Sequence, residues 1–312
     1  MDSGYVVVTN CTARKRAGSP LVRFTPEPSA ATLGEVVRAW RAALDSQSIV
    51  LPARTLYVGR SISEAKSVAR QLRAALFVVS AGLGLVDSDQ EVPGYDLTAA
   101  GARSDLALVL AQHGVPVSDW WSALTEGRGL RWLLERAPRA VVLLALPADY
   151  LRLVRQELQQ MSSDECSRLR VFTSDVGRRE LASLPAIPVM PYDERLESMP
   201  GYAGTRSDFP QRALRHFTER IGAHGLPADL AIREVLISLS SCERRTVPQR
   251  ARMSDEQISE LIRNGWAACG GNSARLLRYL RDDKLVACEQ GRFAELRRRV
   301  CREFVESEAP AG

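Results

Sequence analysis

Phe77-Val-Val-Ser-Ala-Gly-Leu-Gly-Leu-Val-Asp-Ser-Asp-Gln-Glu-Val-Pro-Gly-Tyr-Asp-Leu97 is the stretch on which the reading of the chain turns. It starts inside a β-branched and aromatic run, Leu76 to Ser80, which predicts a buried strand. Ala81-Gly82-Leu83-Gly84 follows, where two glycines permit a tight turn and a close approach by another group. Asp87, Asp89 and Glu91 come next, then a Pro93-Gly94 turn and Tyr95-Asp96. About fifteen residues without a periodic apolar pattern make a long connection, and such loops are usually functional or disordered. Leu83, Leu85, Val86, Val92 and Leu97 anchor this one, so it is expected to be ordered. Ligands of parallel sheets bind beyond the carboxyl ends of the strands, where this loop is expected to sit.

Outward from that strand, apolar runs alternate with amphipathic segments. Tyr5 to Thr9, Thr55 to Val58, Ala140 to Leu146 and Leu169 to Thr173 read as strands, with Ile187 to Met190 as an edge strand. Leu33 to Leu44, the segment after Ser61 or Ser63, Ala99 to Gln112, Leu130 to Arg136 and Pro147 to about Gln160 read as helices. This alternation predicts an α/β domain, residues 1–191, with a parallel sheet between helices. Residues 192–210, rich in Pro, Gly, Ser and charge, read as a linker. Residues 211–312 read as a mainly helical module.

The chain has 312 residues, 45% hydrophobic and 25% charged, the proportions of a globular protein. No apolar run is long enough for a transmembrane helix, and the N-terminus enters a strand without a basic leader. A cytoplasmic protein with no membrane partner, and a monomer, is the expectation. Six scattered cysteines and three histidines show no metal-ligand spacing, so reduced thiols, no metal and no cofactor are expected. Formal net charge is +5, and residues 201–312 hold 19 basic against 15 acidic side chains. A polyanionic partner fits that excess. Only Lys15, Lys66 and Lys284 of the 42 basic residues are lysines. A lysine in a site-like loop of so arginine-rich a chain is therefore expected to be needed as a lysine.

Gly82-Leu83-Gly84 lacks both the dinucleotide and the P-loop fingerprint, and no G-x-S-x-G elbow occurs. Asn10 to Lys15 and Asp87 to Asp96 both leave predicted strand ends, so they are expected to meet at the rim of the sheet. Together they offer an amide, a thiol, a lysine, a phenol and carboxylates. Such a set suits a cationic sugar-like centre, with one carboxylate facing it and donors holding the leaving group. Asn10-Cys11-Thr-Ala-Arg-Lys15 resembles the C-S-x-x-K element of the lysine-transferring domain of archaeosine synthases. Ser80-Ala-Gly-Leu-Gly-Leu-Val-Asp87 with Pro93-Gly-Tyr-Asp-Leu97 resembles the S-x-x-x-G-L-V…Y-D element of that domain. The pattern is similar to that of small bacterial proteins grouped with it and, more faintly, of peroxide-stress proteins that bind DNA. All resemble the uracil-DNA glycosylase fold, and that broad group includes enzymes that excise hypermodified bases from phage DNA. The likeness covers residues 5–100 by motif and 100–190 by topology. It implies a nucleobase pocket built on Asn10, Cys11, Lys15, Ser80, Tyr95 and Asp96. The proline before the cysteine and the Pro-Tyr-Ser after the lysine are missing here, which argues against lysine transfer.

The expected site therefore has Asp96, Asn10, Lys15 and Asp87 as catalytic groups, and Cys11, Arg14, Ser80, Gly82, Gln90 and Tyr95 around the base. Plainer roles exist for several: Cys11 as a buried thiol, Asn10 as a turn tie, Tyr95 as packing, Asp96 as a helix cap. Arg14 and Arg16 push the Lys15 amine toward neutrality while Asp87 and Asp96 oppose it. The expectation is a charged Lys15 and a monofunctional DNA glycosylase acting on a flipped nucleotide of duplex DNA. A transferase acting on a deazaguanine-type base and a DNA-binding regulator are the other readings. In the C-terminal module, Ser254-Asp-Glu-Gln257 reads as a capping box. Gly270-Gly271 breaks its helix and Asn272-Ser273 opens another bearing Arg275, Arg278 and Arg281. With Leu285 to Gln290 as a wing, this resembles a winged helix-turn-helix, in which Arg16, Asn272, Ser273 and the three arginines would contact DNA.

Overall fold

A computed structural model describes residues 4–25, 32–99, 104–184, 187–244 and 250–308. Tyr5–Asn10 (β1), Ala75–Ser80 (β2), Gly84–Asp87 (β3), Val141–Ala145 (β4) and Leu169–Phe172 (β5) form one sheet in the order β3-β2-β1-β4-β5. Every neighbouring pair is parallel except β2 and β3. The protein is thus α/β, with a mostly parallel central sheet flanked by helices.

Alternation along each strand divides the core in two. Val6 and Val8 of β1, Val142 and Leu144 of β4, and Leu169 and Val171 of β5 face one layer. That layer holds helices Leu33–Asp45, Val117–Thr125 and Leu130–Arg136 and the turns after Pro147. Val7, Leu143, Ala145 and Phe172 face the other, against helices Arg60–Gln71 and Phe209–His216. Helix Leu33–Asp45 begins in a capping box, with Thr32 and Glu35 exchanging side-chain and backbone bonds. It buries Val36, Val37, Trp40 and Leu44 on one face.

The segment after Ser80 is less of a loop than its sequence suggests. β3 turns back beside β2, pairing Ser80 with Gly84 and Phe77 with Asp87. Glu91–Pro93 then pairs with Val50–Pro52, and Tyr95–Asp96 with Val22–Arg23. Thr55 to Val58 is not a strand. Ala53–Leu56 is a helical turn, and Tyr57 makes a lone bridge with Lys15. Ile187 to Met190 adds only the bridge Val171–Val189. The helix expected over 99–112 begins at Asp105, capped by Ser104, and residues 100–103 lie outside the described ones.

The chain divides into compact units Met1–Arg245 and Thr246–Gly312, so the expected boundary at 191 falls inside the first unit. A sheet bare on one face cannot stop there. Tyr192, Leu196, Tyr202, Phe209, Leu214 and Phe217 are buried against that face. Residues 192–210 are accordingly no linker. Arg212, fully buried, pins them by donating to Asp208 (2.6 Å), Glu197 (2.8 Å), the Thr205 carbonyl (2.7 Å) and the Tyr202 carbonyl. Arg215 meets Glu64 at 2.6 Å and ties the two covering helices together.

The second unit packs helices Asp255–Cys269, Ser273–Arg278 and Gln290–Glu308 around Ile258, Ile262, Leu276, Leu280, Phe293 and Val300. Ser254 and Gln257 form the capping box. Gly270 and Gly271 both take left-handed φ, +58° and +62°, which glycine adopts without strain. The expected wing is absent among the described residues. Val286 makes a single bridge with Ala251, and the chain is helical again from Gln290.

Candidate active site

β1 is the central strand, and successive connections leave it toward opposite edges of the sheet. A crevice at such a switch point is where open α/β sheets place ligands. Asn10 ends β1 and Cys11 follows it, Ser80 ends β2, and Tyr150 lies in the first helical turn after β4. Cys11 Sγ and the Tyr150 hydroxyl share a hydrogen bond of 2.9 Å across the crevice. Beneath them, Gln211 Nε2 reaches Asn10 Oδ1 (2.8 Å), Thr9 Oγ1 (3.0 Å) and the Ala145 carbonyl (2.9 Å). Asn10 Nδ2 in turn donates to the Cys11 carbonyl at 2.7 Å. The turn-tying role for Asn10 is therefore present, fixed from below by a residue far along the chain.

Beside β2 runs a buried relay of hydroxyls. Tyr95 bonds Ser80 Oγ at 2.5 Å and the Tyr57 hydroxyl at 2.9 Å. Ser80 Oγ also accepts the amides of Gly82 (3.3 Å) and Leu83 (3.0 Å), which sets the turn. Trp40 donates to the Gly82 carbonyl and Trp120 to the Ala81 carbonyl, each at 2.7 Å. Burial, reinforced by nearby Cys11, raises the phenols of Tyr57, Tyr95 and Tyr150 above their ordinary range. They remain hydrogen-bond donors at working pH and do not act as bases.

Lys15 lies over this relay. The extended backbone around its bridge to Tyr57 turns Lys15 inward and leaves Arg14 and Arg16 exposed. Nζ sits 4.5 Å from the Tyr95 ring centroid and 5.3 Å from that of Tyr57, and it donates to the Thr12 carbonyl at 2.6 Å. Burial lowers the Lys15 ammonium below its ordinary range, while Cys11 and Asp96 act in the opposite direction. Asp96 is exposed, in register with exposed Arg23. It is in a strand rather than capping a helix.

Asn10, Cys11, Lys15, Ser80, Tyr95 and Asp96 thus come together. Gly82 adjoins them: a Cβ there would lie 2.7 Å from the Tyr95 ring. Asp87 does not join. It sits at the far end of β3, three residues down the ladder from the rim, and accepts the Asp89 amide. Gln90 also stands apart, lining with Arg41, Leu83 and Arg128 a cleft of about 640 Å³ on the other side of the Gly82 turn. None of Asn10, Cys11, Lys15, Ser80, Tyr95 and Asp96 lines that cleft. Tyr57, Tyr150 and Gln211 were not found from the sequence. Tyr150 had a signal, because it follows a strand's carboxyl end as Asn10 does. Tyr57 and Gln211 had none.

In the second unit Asn272 caps its helix, accepting the Ala274 and Arg275 amides at 3.0 and 3.1 Å. Arg281 donates to the Cys288 carbonyl at 2.8 Å and so serves the fold. Ser273, Arg275 and Arg278 are exposed. Among the described residues no cluster of His, Cys, Asp or Glu could hold a metal ion, and no helix is long and apolar enough to cross a membrane. Comparison of the chain with protein-family models, curated proteins and solved structures yields no match.

Proposed function

We propose that the protein is a DNA glycosylase that cuts the N-glycosidic bond of a modified base, with hypermodified phage DNA as the target in anti-phage defence. The observation that carries this reading is Lys15 held over a buried, donor-rich cluster at the switch point, with exposed Asp96 next in the chain to Tyr95 of that cluster. Departure of a base leaves positive charge on the sugar, and an exposed carboxylate beside the crevice is suited to face it. Asn10 Nδ2, with one hydrogen on the Cys11 carbonyl, keeps a second to offer the base, and the buried phenols hold the wall of the pocket in place. Arg14, Arg16 and Arg23 ring the rim where phosphates of an extruded nucleotide would pass. The helix-turn-helix segment, through Arg275 and Arg278, supplies a second phosphate contact.

The test is incubation with duplexes carrying different base modifications, followed by mass spectrometry for free base and alkali treatment for abasic sites. Free base with an abasic site supports the reading. Exchange of one base for another without net release would replace it with the transferase. Tight binding to one DNA sequence with no base chemistry would replace it with the regulator.

A further inference from the structure

We propose that Lys15 is the nucleophile of the reaction, attacking C1′ of the sugar and passing through a Schiff base. This rests on the glycosylase reading and deepens it. Three observations converge. Lys15 is turned inward in the segment that follows β1, at its bridge with Tyr57, while both neighbouring arginines are exposed. Its amine is positioned by the Thr12 carbonyl and two tyrosine rings, and among the described residues no carboxylate forms an ion pair with it. The chain otherwise uses arginine for positive charge, with three lysines in 42 basic residues. Arginine serves any role that needs only charge, but it cannot give up a proton to become a nucleophile.

The tyrosine faces and Asp96 favour the ammonium form, and burial favours the free amine. With Asp87 at the other end of β3, one of the two carboxylates expected to keep Lys15 charged is not beside it. In the step, the Nζ lone pair forms a bond to C1′ as the C1′–N bond to the base breaks. That bonding pair leaves with the base, and the proton shed by the amine balances the proton the base takes up. The nitrogen lone pair then forms C=N as C1′–O4′ opens, and O4′ takes a proton from water. Hydrolysis of C=N returns the amine.

The experiment uses the full-length protein and a duplex bearing one abasic site, whose open form is an aldehyde, with sodium borohydride to reduce any Schiff base. This probe needs no prior base release, so it separates failure of the inference from failure of the glycosylase reading. A covalent protein–DNA adduct is expected, mapped by peptide mass spectrometry of the wild-type protein to Lys15. It should persist in Lys66→Ala and fall to background in Lys15→Arg and Lys15→Ala. No adduct with wild type, an adduct mapped elsewhere, or undiminished trapping in folded Lys15→Arg would overturn the proposal.

Discussion

Replacing Gly82 by alanine tests whether the packing of the turn governs the site. Gly82 has no left-handed backbone requirement, so the consequence is steric. The added methyl would sit 2.7 and 2.8 Å from two ring atoms of Tyr95 and 3.2 Å from the Trp40 ring. Ordinary contact starts near 3.4 Å, so the Tyr95 ring must recede by about 0.7 Å. It has little freedom, being bonded to Ser80 and Tyr57 and stacked edge-on against Trp40 and Tyr57. Overpacking of this kind costs about 1–3 kcal/mol. With a urea m-value near ~3 kcal/mol/M, the midpoint should fall by about 0.3–1 M. Tryptophan fluorescence reports mainly the first unit, which holds Trp40, Trp120, Trp121 and Trp132, whereas Trp266 lies in the second. Gly34→Ala is the control. Its Cβ meets nothing closer than 3.8 Å, and alanine favours the helix it joins. On a Tyr95→Leu background the Gly82→Ala cost should largely vanish. A Gly82→Ala midpoint equal to wild type, or an undiminished cost in Tyr95→Leu, would refute the packing argument.

Four further outcomes are expected. Arg212→Ala leaves Asp208 and Glu197 without their buried partner and should destabilise the first unit by about 3–5 kcal/mol, with new protease cleavage between 193 and 205; unchanged melting and cleavage would contradict the pinning role. Burial, with Arg220 and Arg215 adding to it, pushes His216 from 6.5 down to about 4. An unfolded histidine binds its proton first as pH falls, so stability should decline from pH 6.5 toward 4, by about 3 kcal/mol at most; His216→Gln should flatten this decline, and an identical profile in the variant removes His216 as its source. Arg275→Ser with Arg278→Ser should lower the salt slope of DNA binding by about two, whereas Arg281→Ala should loosen the second unit through loss of the Cys288 contact; an unchanged slope means the exposed pair touches no phosphate. Asp96→Asn, close to isosteric, should abolish base release and leave DNA affinity nearly intact, and normal turnover would exclude Asp96 from the chemistry.

The strands were readable because their apolar runs are short, β-branched and separated by amphipathic helices. Val6-Val7-Val8 and Leu143-Leu144 left little doubt about period or burial. The 81–96 stretch misled because β3 and its successors are short and mix buried with half-buried positions. Local periodicity cannot reveal pairing with Val50–Pro52 or Val22–Arg23. Residues 192–210 carry turn-forming composition, yet a buried Arg212 and scattered aromatics hold them to the sheet. Composition records propensity, and here tertiary contacts override it. The motif residues Asn10, Cys11, Lys15, Ser80 and Tyr95 do converge because each follows or faces a strand end. Asp87 was misplaced by the unrecognised reversal of the chain at Gly84.

Gln211 gives the site a position in time as well as in space. Its amide fastens Asn10 across 201 residues of sequence and also holds the end of β4. At ribosomal speeds of about 5–20 residues per second, some 10–40 s separate synthesis of Asn10 from synthesis of its partner. Once β5 has been made, the part of that sheet face not covered by helix Arg60–Gln71 also waits for helix Phe209–His216. The crevice is therefore finished late in translation, and a chain released early carries the residues of the site without the floor that sets them.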